Sequence, residues 1–259
     1  MSPGPLALGA AAALLYALGV RRARRWRGSR SALFATGVIV TTAALGWPVD
    51  GWADARLSGH MVQHGLLTLV AAPLLAAGAP VSLALRALRP HARRVLVRAM
   101  HAPVTRLLVH PATGWAALTA VLLGTHLTPL YELALREPAV HAAEHLAYLG
   151  AALLYWAPLV GADPLPVRPG AVGRIAWLMA SMPVMGLLGA WMLTGPLRYA
   201  AYAGPGALAD QRVAASIMWT GGTLTMLVAT LVLVVGAVRT EEARQRRREA
   251  IEDARVGAA

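Results

Sequence analysis

LSGHMVQHGLLTLVAAPLLAAGAPVSLAL, residues 57–85, runs for twenty-nine residues without one Asp, Glu, Lys or Arg. The hydrocarbon core of a bilayer takes about 20 apolar residues of helix to cross, so this stretch is long enough to span it. Comparable charge-free tracts lie at 1–20, 31–49, 107–131, 175–197 and 213–238, and another at 138–162 if Glu144 is allowed. The chain of 259 residues is 57% hydrophobic and only 14% charged, against roughly 25% charged in a soluble domain. The tracts therefore read as seven spans, approximately 4–20, 31–48, 58–79, 112–129, 138–161, 174–195 and 211–238. Helix is the expected conformation, because an open sheet edge has no partner in lipid and no alternating barrel pattern is present. The expected fold is an all-α membrane protein of seven transmembrane helices, with one domain over 1–238 and a charged cytoplasmic tail over 239–259.

The basic residues orient the chain. All 24 are arginine, against 12 acidic residues, for a formal charge of +12. In a soluble protein that excess would point to nucleic acid; here it sorts by loop. Arg21, Arg22, Arg24, Arg25, Arg27 and Arg30 follow the first span, and Arg86, Arg89, Arg93, Arg94, Arg98 and Arg106 follow the third. Arg168 and Arg174 follow the fifth, and six more lie in the tail. The alternate loops hold only Arg56, Arg136, Arg198 and Arg212. Cytoplasmic loops are enriched in positive charge, so the N-terminus is expected outside and the C-terminus inside. The first apolar run precedes its positive cluster, the reverse of a signal peptide, and is expected to remain as a span. Prolines 73, 158 and 183 are expected to kink their spans, and the connection 80–111, with four prolines, to form an interfacial loop or short amphipathic helix. With no cysteine, disulfides, thiolate metal sites and a thiolate nucleophile are excluded.

The eight histidines divide. His91, His101 and His110 accompany the arginine-rich inner loop, where a solvated or headgroup role is expected. His60, His64, His126, His141 and His145 fall at the outer ends of spans 3, 4 and 5. Residues at i and i+4 share a helical face, so His60/His64 and His141/His145 each present two imidazoles in one direction. Glu144 is a carboxylate inside an apolar span, where ionisable groups are costly and mark function. Asp210 and Gln211 open span 7 on the same side, and Met61 and Met218 offer thioethers. A single membrane histidine is more often a bond between helices than a ligand; five at one depth point to an outward-facing metal site. Imidazole suits copper, zinc, iron and nickel. Spans 3 and 5 also echo each other in an H-x-x-x-H start and a later Ala-Pro-Leu.

At these positions the chain resembles a known family. The matching stretches are His60-Met61-Val62-Gln63-His64 leading to Ala72-Pro73-Leu74-Leu75, Thr125-His126-Leu127-Thr128-Pro129-Leu130-Tyr131, and His141-Ala142-Ala143-Glu144-His145 through Tyr155-Trp156-Ala157-Pro158-Leu159, with Asp210-Gln211 and Ile217-Met218-Trp219. Together, over residues 58 to 220, they resemble the multi-spanning CtaG-type cytochrome c oxidase assembly factors. The single-span copper chaperone that shares the CtaG name relies on cysteines, which this chain lacks. The resemblance implies a multi-pass protein of the bacterial plasma membrane that helps to mature haem–copper oxidases by handling copper at the outer face, without catalytic turnover. Its implied partners are oxidase subunits or copper donor proteins in the lipid bilayer, with no nucleic acid. The implied ligands are His60, His64, His126, His141 and His145, with Glu144 and Asp210 in or behind the shell and Met61 and Met218 assisting Cu(I). Zinc, iron or haem are the alternative cofactors. The rival readings are a di-iron or copper oxidase or hydroxylase, a bis-histidine haem electron-transfer protein, and a copper transporter, for which the inner halves of the spans show few polar steps.

Overall fold

Apolar tracts of this length bury no backbone polarity unless they coil, and the computed structural model is helical along almost its whole length. It describes residues 4–23 and 25–256; Arg24 and the last three residues of the expected tail lie outside that range. The helices are α1 (Gly4–Arg22), α2 (Gly28–Ala44), α3 (Val49–Ala55), α4 (Leu57–Gly65), α5 (Ala72–Ala77), α6 (Pro80–Ala87), α7 (Pro90–His101), α8 (Pro103–Leu108), α9 (Pro111–Leu127), α10 (Leu130–Arg136), α11 (Pro138–Val160), α12 (Ala171–Thr194) and α13 (Ala207–Val256). There is no strand among the described residues.

Proline punctuates this order. Pro80, Pro90, Pro103, Pro111 and Pro138 each open a helix, where the missing N–H is one that would be unpaired anyway. The connection 80–111 is thus three short helices, α6 to α8. Pro158 and Pro183 lie inside α11 and α12, which run on through them. Pro73 is accommodated differently. Between α4 and α5 the helix widens into a π turn, Leu66–Ala71, in which the Ala72 amide bonds to the Leu67 carbonyl. The next bond in that register would run from residue 73 to the Thr68 carbonyl, and proline has no hydrogen to give. The Trp156 indole N–H of α11 takes that carbonyl instead, at 2.8 Å. A backbone group orphaned within the span is so satisfied by a neighbouring helix.

Among the described residues five helices are long and apolar enough to cross a membrane: α1, α2 with α3, the α4–α6 run, α12 and α13. The pair α9 and α10, bent by 76°, passes the same test together and counts as a sixth if the two form one broken span. Helix α11 has 23 residues, about 35 Å at 1.5 Å each, but His141, Glu144 and His145 in its first turns dilute its apolarity. Large apolar side chains point outward along the bundle, among them Leu15, Leu146, Leu187, Leu231 and Val232, as a lipid-facing surface requires. The sequence expectation of a charged tail after 238 meets one uninterrupted helix, since α13 continues to Val256 over 50 residues.

Inside, Tyr148, Tyr155, Trp156 and Leu159 of α11 pack with Leu118 and Leu122 of α9, Leu178, Met185 and Leu188 of α12, and Met226 of α13. A second cluster, at the histidine-bearing end, joins Leu57 and Met61 to Tyr131, Met192, Tyr199, Ala214 and Ala215. Helices α9 and α11 approach closely at Gly114, where an added Cβ would lie 2.6 Å from the Leu154 carbonyl oxygen and 2.7 Å from the Tyr155 Cα. Backbone cannot step aside as a flexible side chain can. Gly114→Ala is expected to destabilise the bundle by about 1–3 kcal/mol, read as a lower melting temperature in detergent. Gly124→Ala in the same helix meets open space and is expected to leave melting unchanged or raise it slightly; equal behaviour of the two variants would contradict this packing.

Candidate metal centre

One stripe of α11 builds half of the site. His141, Glu144, His145 and Tyr148 recur at helical spacing, so they share a face, and the last three are buried. On α4, Leu57 to Met61 with Gln63 and His64 are buried together, which sets His60 and His64 against that stripe. The ring centroids of His60 lie 4.3 Å from His64, 5.2 Å from His141 and 6.1 Å from His145. His60 Nε2 is 2.9 Å from His64 Nε2 and 3.9 Å from a Glu144 carboxylate oxygen. Two groups bring one potential ligand atom per residue within 4.8 Å of one another: His60, His64 and His145, and His60, His141 and Glu144. His60 belongs to both.

Partners outside the cluster fix which nitrogen carries each proton. The Tyr202 hydroxyl donates to the Ala53 carbonyl at 2.7 Å, so its oxygen accepts from His60 Nδ1–H at 3.0 Å. His60 Nε2 is left with its lone pair toward the cluster. Tyr202 stands outside the spans, and burial pushes its hydroxyl and that of Tyr199 above the ordinary tyrosine range, so Tyr202 keeps the proton it donates. Gln63 performs the same task for His145. Its amide nitrogen donates to the Ala44 carbonyl at 2.8 Å and to an Asp50 carboxylate oxygen at 3.1 Å. Its oxygen therefore faces His145 Nε2–H, at 3.1 Å, and His145 Nδ1 is the free atom. His126 gives its Nδ1–H to the Leu122 carbonyl at 2.9 Å, leaving Nε2. Ligating imidazoles are held in this way, by a hydrogen bond at the nitrogen away from the metal.

The expected residues do not all converge. His126 is buried beside Tyr131, ring centroids 5.4 Å apart, but belongs to neither close group. With Met61, His64 and Met218 it lines a cavity of about 230 Å³ next to the cluster. Asp210 is engaged elsewhere: its two carboxylate oxygens accept from the Ser58 amide at 3.2 Å and the Ser58 hydroxyl at 2.5 Å, tying the first turn of α13 to that of α4. Gln211 accepts from the Arg198 amide and donates to the carbonyls of Met192 and Pro196. His110, expected in a solvated or headgroup role, caps α9 by accepting from the Ala112 amide. The sequence reading passed over four tyrosines that wall the site. Tyr131 lies 4.9 Å from His60 and Tyr148 4.1 Å from His64, centroid to centroid; Tyr199 packs on Tyr131 at 4.7 Å, and Tyr202 holds His60. Two of them had a signal in the sequence: Tyr148 stands three residues beyond His145 on one helical face, and Tyr131 closes the family-like stretch from Thr125.

The chemistry of this donor set fits a cation. Among the described residues ten buried side-chain polar atoms have no hydrogen-bond partner, and seven of them are here: His64 Nδ1, His126 Nε2, His141 Nε2, both oxygens of Glu144, and the hydroxyls of Tyr131 and Tyr199. Buried polar atoms are otherwise nearly always paired, and most of these seven are lone-pair donors. Two nitrogens each ~2.0–2.1 Å from a shared ion stand roughly 2.8–3.4 Å apart for bond angles between square and tetrahedral, and the His60–His64 separation falls within that range. With imidazole, carboxylate and nearby thioether but no thiolate, the donor set is one that copper, zinc or iron accepts.

Comparison with known proteins gives this site a context. The family model described as cytochrome c oxidase caa3 assembly factor matches residues 14–240, nearly the whole chain. An uncharacterized protein of Mycobacterium bovis is 34% identical over 265 residues, covering 94% of this chain and 39% of its own length. One of Mycobacterium leprae is 30% identical over 272 residues, covering 96% and 40%. The chain thus spans about two-fifths of the length of the curated relatives it matches. No solved structure matches it. The chain belongs to the caa3 cytochrome c oxidase assembly factor family, as its motifs implied.

The tautomers are directly measurable. In metal-free protein labelled with ¹⁵N-histidine, His60 and His126 are expected to carry the proton on Nδ1 and His145 on Nε2. Tyr202→Phe is expected to release His60 into a mixture of tautomers, and Gln63→Leu to do so for His145. A His60 protonated only at Nε2 in the unsubstituted protein would contradict this hydrogen-bond chain.

Proposed function

We propose that this member of the caa3 assembly factor family handles copper for a cytochrome c oxidase, holding the ion as cargo in the histidine cluster rather than turning over a substrate. The observation that carries the reading is the His60, His64 and His145 group, with the lone pair of His60 Nε2 turned toward His64 by Tyr202 and Nδ1 of His145 left free by Gln63. His141 and Glu144 share His60 as a second set, so that an ion could pass from one set to the other without leaving the cluster. Such a shared ligand suits delivery better than permanent storage. The cluster gathers at one end of the bundle; on this reading, which the uneven distribution of arginines between alternate loops supports, that end faces outside the plasma membrane, the chain crosses seven times and the tail lies in the cytoplasm. An oxidase subunit or a copper donor protein would meet the ion there. Copper is preferred over zinc and iron because thioethers of Met61 and Met218 line the adjoining cavity and Cu(I) accepts thioether sulfur.

Elemental analysis of the purified protein after copper loading is expected to find bound copper. In the His60→Ala/His64→Ala/His141→Ala/His145→Ala variant it is expected to fall to background. Tyr202→Phe, which leaves every ligand in place, is expected to weaken copper binding about 10–100-fold. A strain lacking the gene is expected to lose oxidase activity and to regain part of it with added copper. Copper content unchanged in the fourfold variant would sink the proposal, and a visible haem spectrum in the purified protein would replace it.

A further inference from the structure

The arginine-rich end of the bundle holds a second built site, remote from the histidines. The loop between α1 and α2 comprises only residues 23–27, and both helices it joins are long and apolar enough to cross a membrane. So short a link cannot leave the membrane surface. Arg25 and Arg27 of this loop, with Arg30 from the first turn of α2 and Arg86 from α6, surround a recess of about 210 Å³ whose remaining wall is Trp26. Among the described residues none of the four guanidinium groups is within 4.0 Å of a carboxylate. Asp163, near α6, spends its carboxylate on the amides of Val81 and Ser82 and does not line the recess.

The recess is held in shape. Trp26 donates its indole N–H to the Tyr16 hydroxyl at 3.1 Å, and Tyr16 donates onward to the Gly78 carbonyl at 2.8 Å. Tyr16 is itself buried and stacked on Phe34, centroids 4.0 Å apart. The fixed Trp26 ring then serves as a platform, with the guanidinium carbons of Arg30 and Arg86 at 5.2 and 5.4 Å from its centroid, within cation–π range. Arg25 adopts a φ of +56°, a left-handed conformation that costs a non-glycine residue energy. Helix α2 begins at this recess, with Arg27 as its N-cap and no side chain capping its first amides. Four like charges, a helix N-terminus and a strained residue at one place are costly to assemble without a counter-charge.

We propose that this recess binds a phosphate ester, seated there as the headgroup of an anionic phospholipid. Planar guanidinium forks match phosphate oxygens in pairs, basic pockets between transmembrane helices hold anionic headgroups, and the loop lies at the depth where lipid phosphates sit. The site anchors the junction of α1, α2 and α6 to the membrane surface, on the face carrying most of the arginines.

The test uses the full chain in nanodiscs and native mass spectrometry. Wild type is expected to retain phosphatidylglycerol through delipidation and to bind it at least tenfold more tightly than phosphatidylcholine. Arg30→Gln/Arg86→Gln is expected to weaken that binding roughly tenfold or more. Arg30→Lys/Arg86→Lys keeps the charges that orient the chain and is expected to weaken it severalfold, because lysine lacks the planar fork. Melting temperature and histidine tautomers report that both variants remain folded. Millimolar inorganic phosphate is expected not to displace the lipid; displacement would uphold the phosphate chemistry and reassign its source to a soluble ester. Equal retention of the two lipids by wild type, or phosphatidylglycerol binding untouched in both folded variants, would overturn the proposal.

Discussion

In hydrocarbon a polar atom has only other protein atoms to turn to, and this rule governs the bundle from backbone to site. Each unpaired group costs several kcal/mol where water is absent. The Thr68 carbonyl, left without an amide by Pro73, is taken by Trp156. The Tyr155 hydroxyl reaches the Trp177 carbonyl and Ser181, and Trp115 reaches the Ala180 carbonyl. Against that thorough pairing, the concentration of unpartnered atoms around His64, His126, His141 and Glu144 is a local exception. These unpaired lone pairs are groups that a cation would satisfy. The same rule explains why the imidazoles are oriented from behind: the carbonyls of Ala44 and Ala53 need donors, and Gln63 and Tyr202 satisfy them while turning lone pairs inward.

The helical fold and the outline of the site were legible in the residues because both depend on local spacing. Charge-free tracts mark spans by length alone, and an i, i+4 pair of histidines faces one way in any helix. The approach of His60 and His64 to His141 and His145 was inferred from two helices running in the same direction, and the ring separations agree with it. What could not be read depends on contacts between distant segments. Tyr202 lies in the loop before α13, with no periodic pattern, and its role comes only from its reach to Ala53 and His60. Gln63 looked like an ordinary polar residue between the histidines until Ala44 and Asp50 fixed its amide. Asp210 shows the converse. Its position at the head of a span suggested a ligand, but in space it meets the unpaired first turn of α4, and a helix N-terminus attracts a carboxylate strongly.

Helix boundaries followed the prolines more closely than the hydropathy. Five helices open on one, where a sequence reading could as readily place a break. Helix α11 shows the opposite tension. The polar groups that make it interesting chemically also keep it out of the set of helices apolar enough to cross a membrane, so the residues that define the site obscure the span that carries it. Helix α13 carries Asp210, Gln211 and Arg212 in its first turns and then runs from an apolar stretch to a charged end in one rod.

The π turn between α4 and α5 has a geometric consequence for the whole site. A π turn amounts to one extra residue in an α-helix, and one residue is worth about 100° of rotation about the axis. The imidazoles of α4 are therefore clocked a quarter-turn and more away from where α5 alone would aim them. Without the extra residue the lower half of this span could keep its packing against α11 while the upper half pointed His60 and His64 toward lipid. The aim of His60 and His64 is thus set separately from the helix packing beneath them, with Pro73 and Trp156 holding the angle.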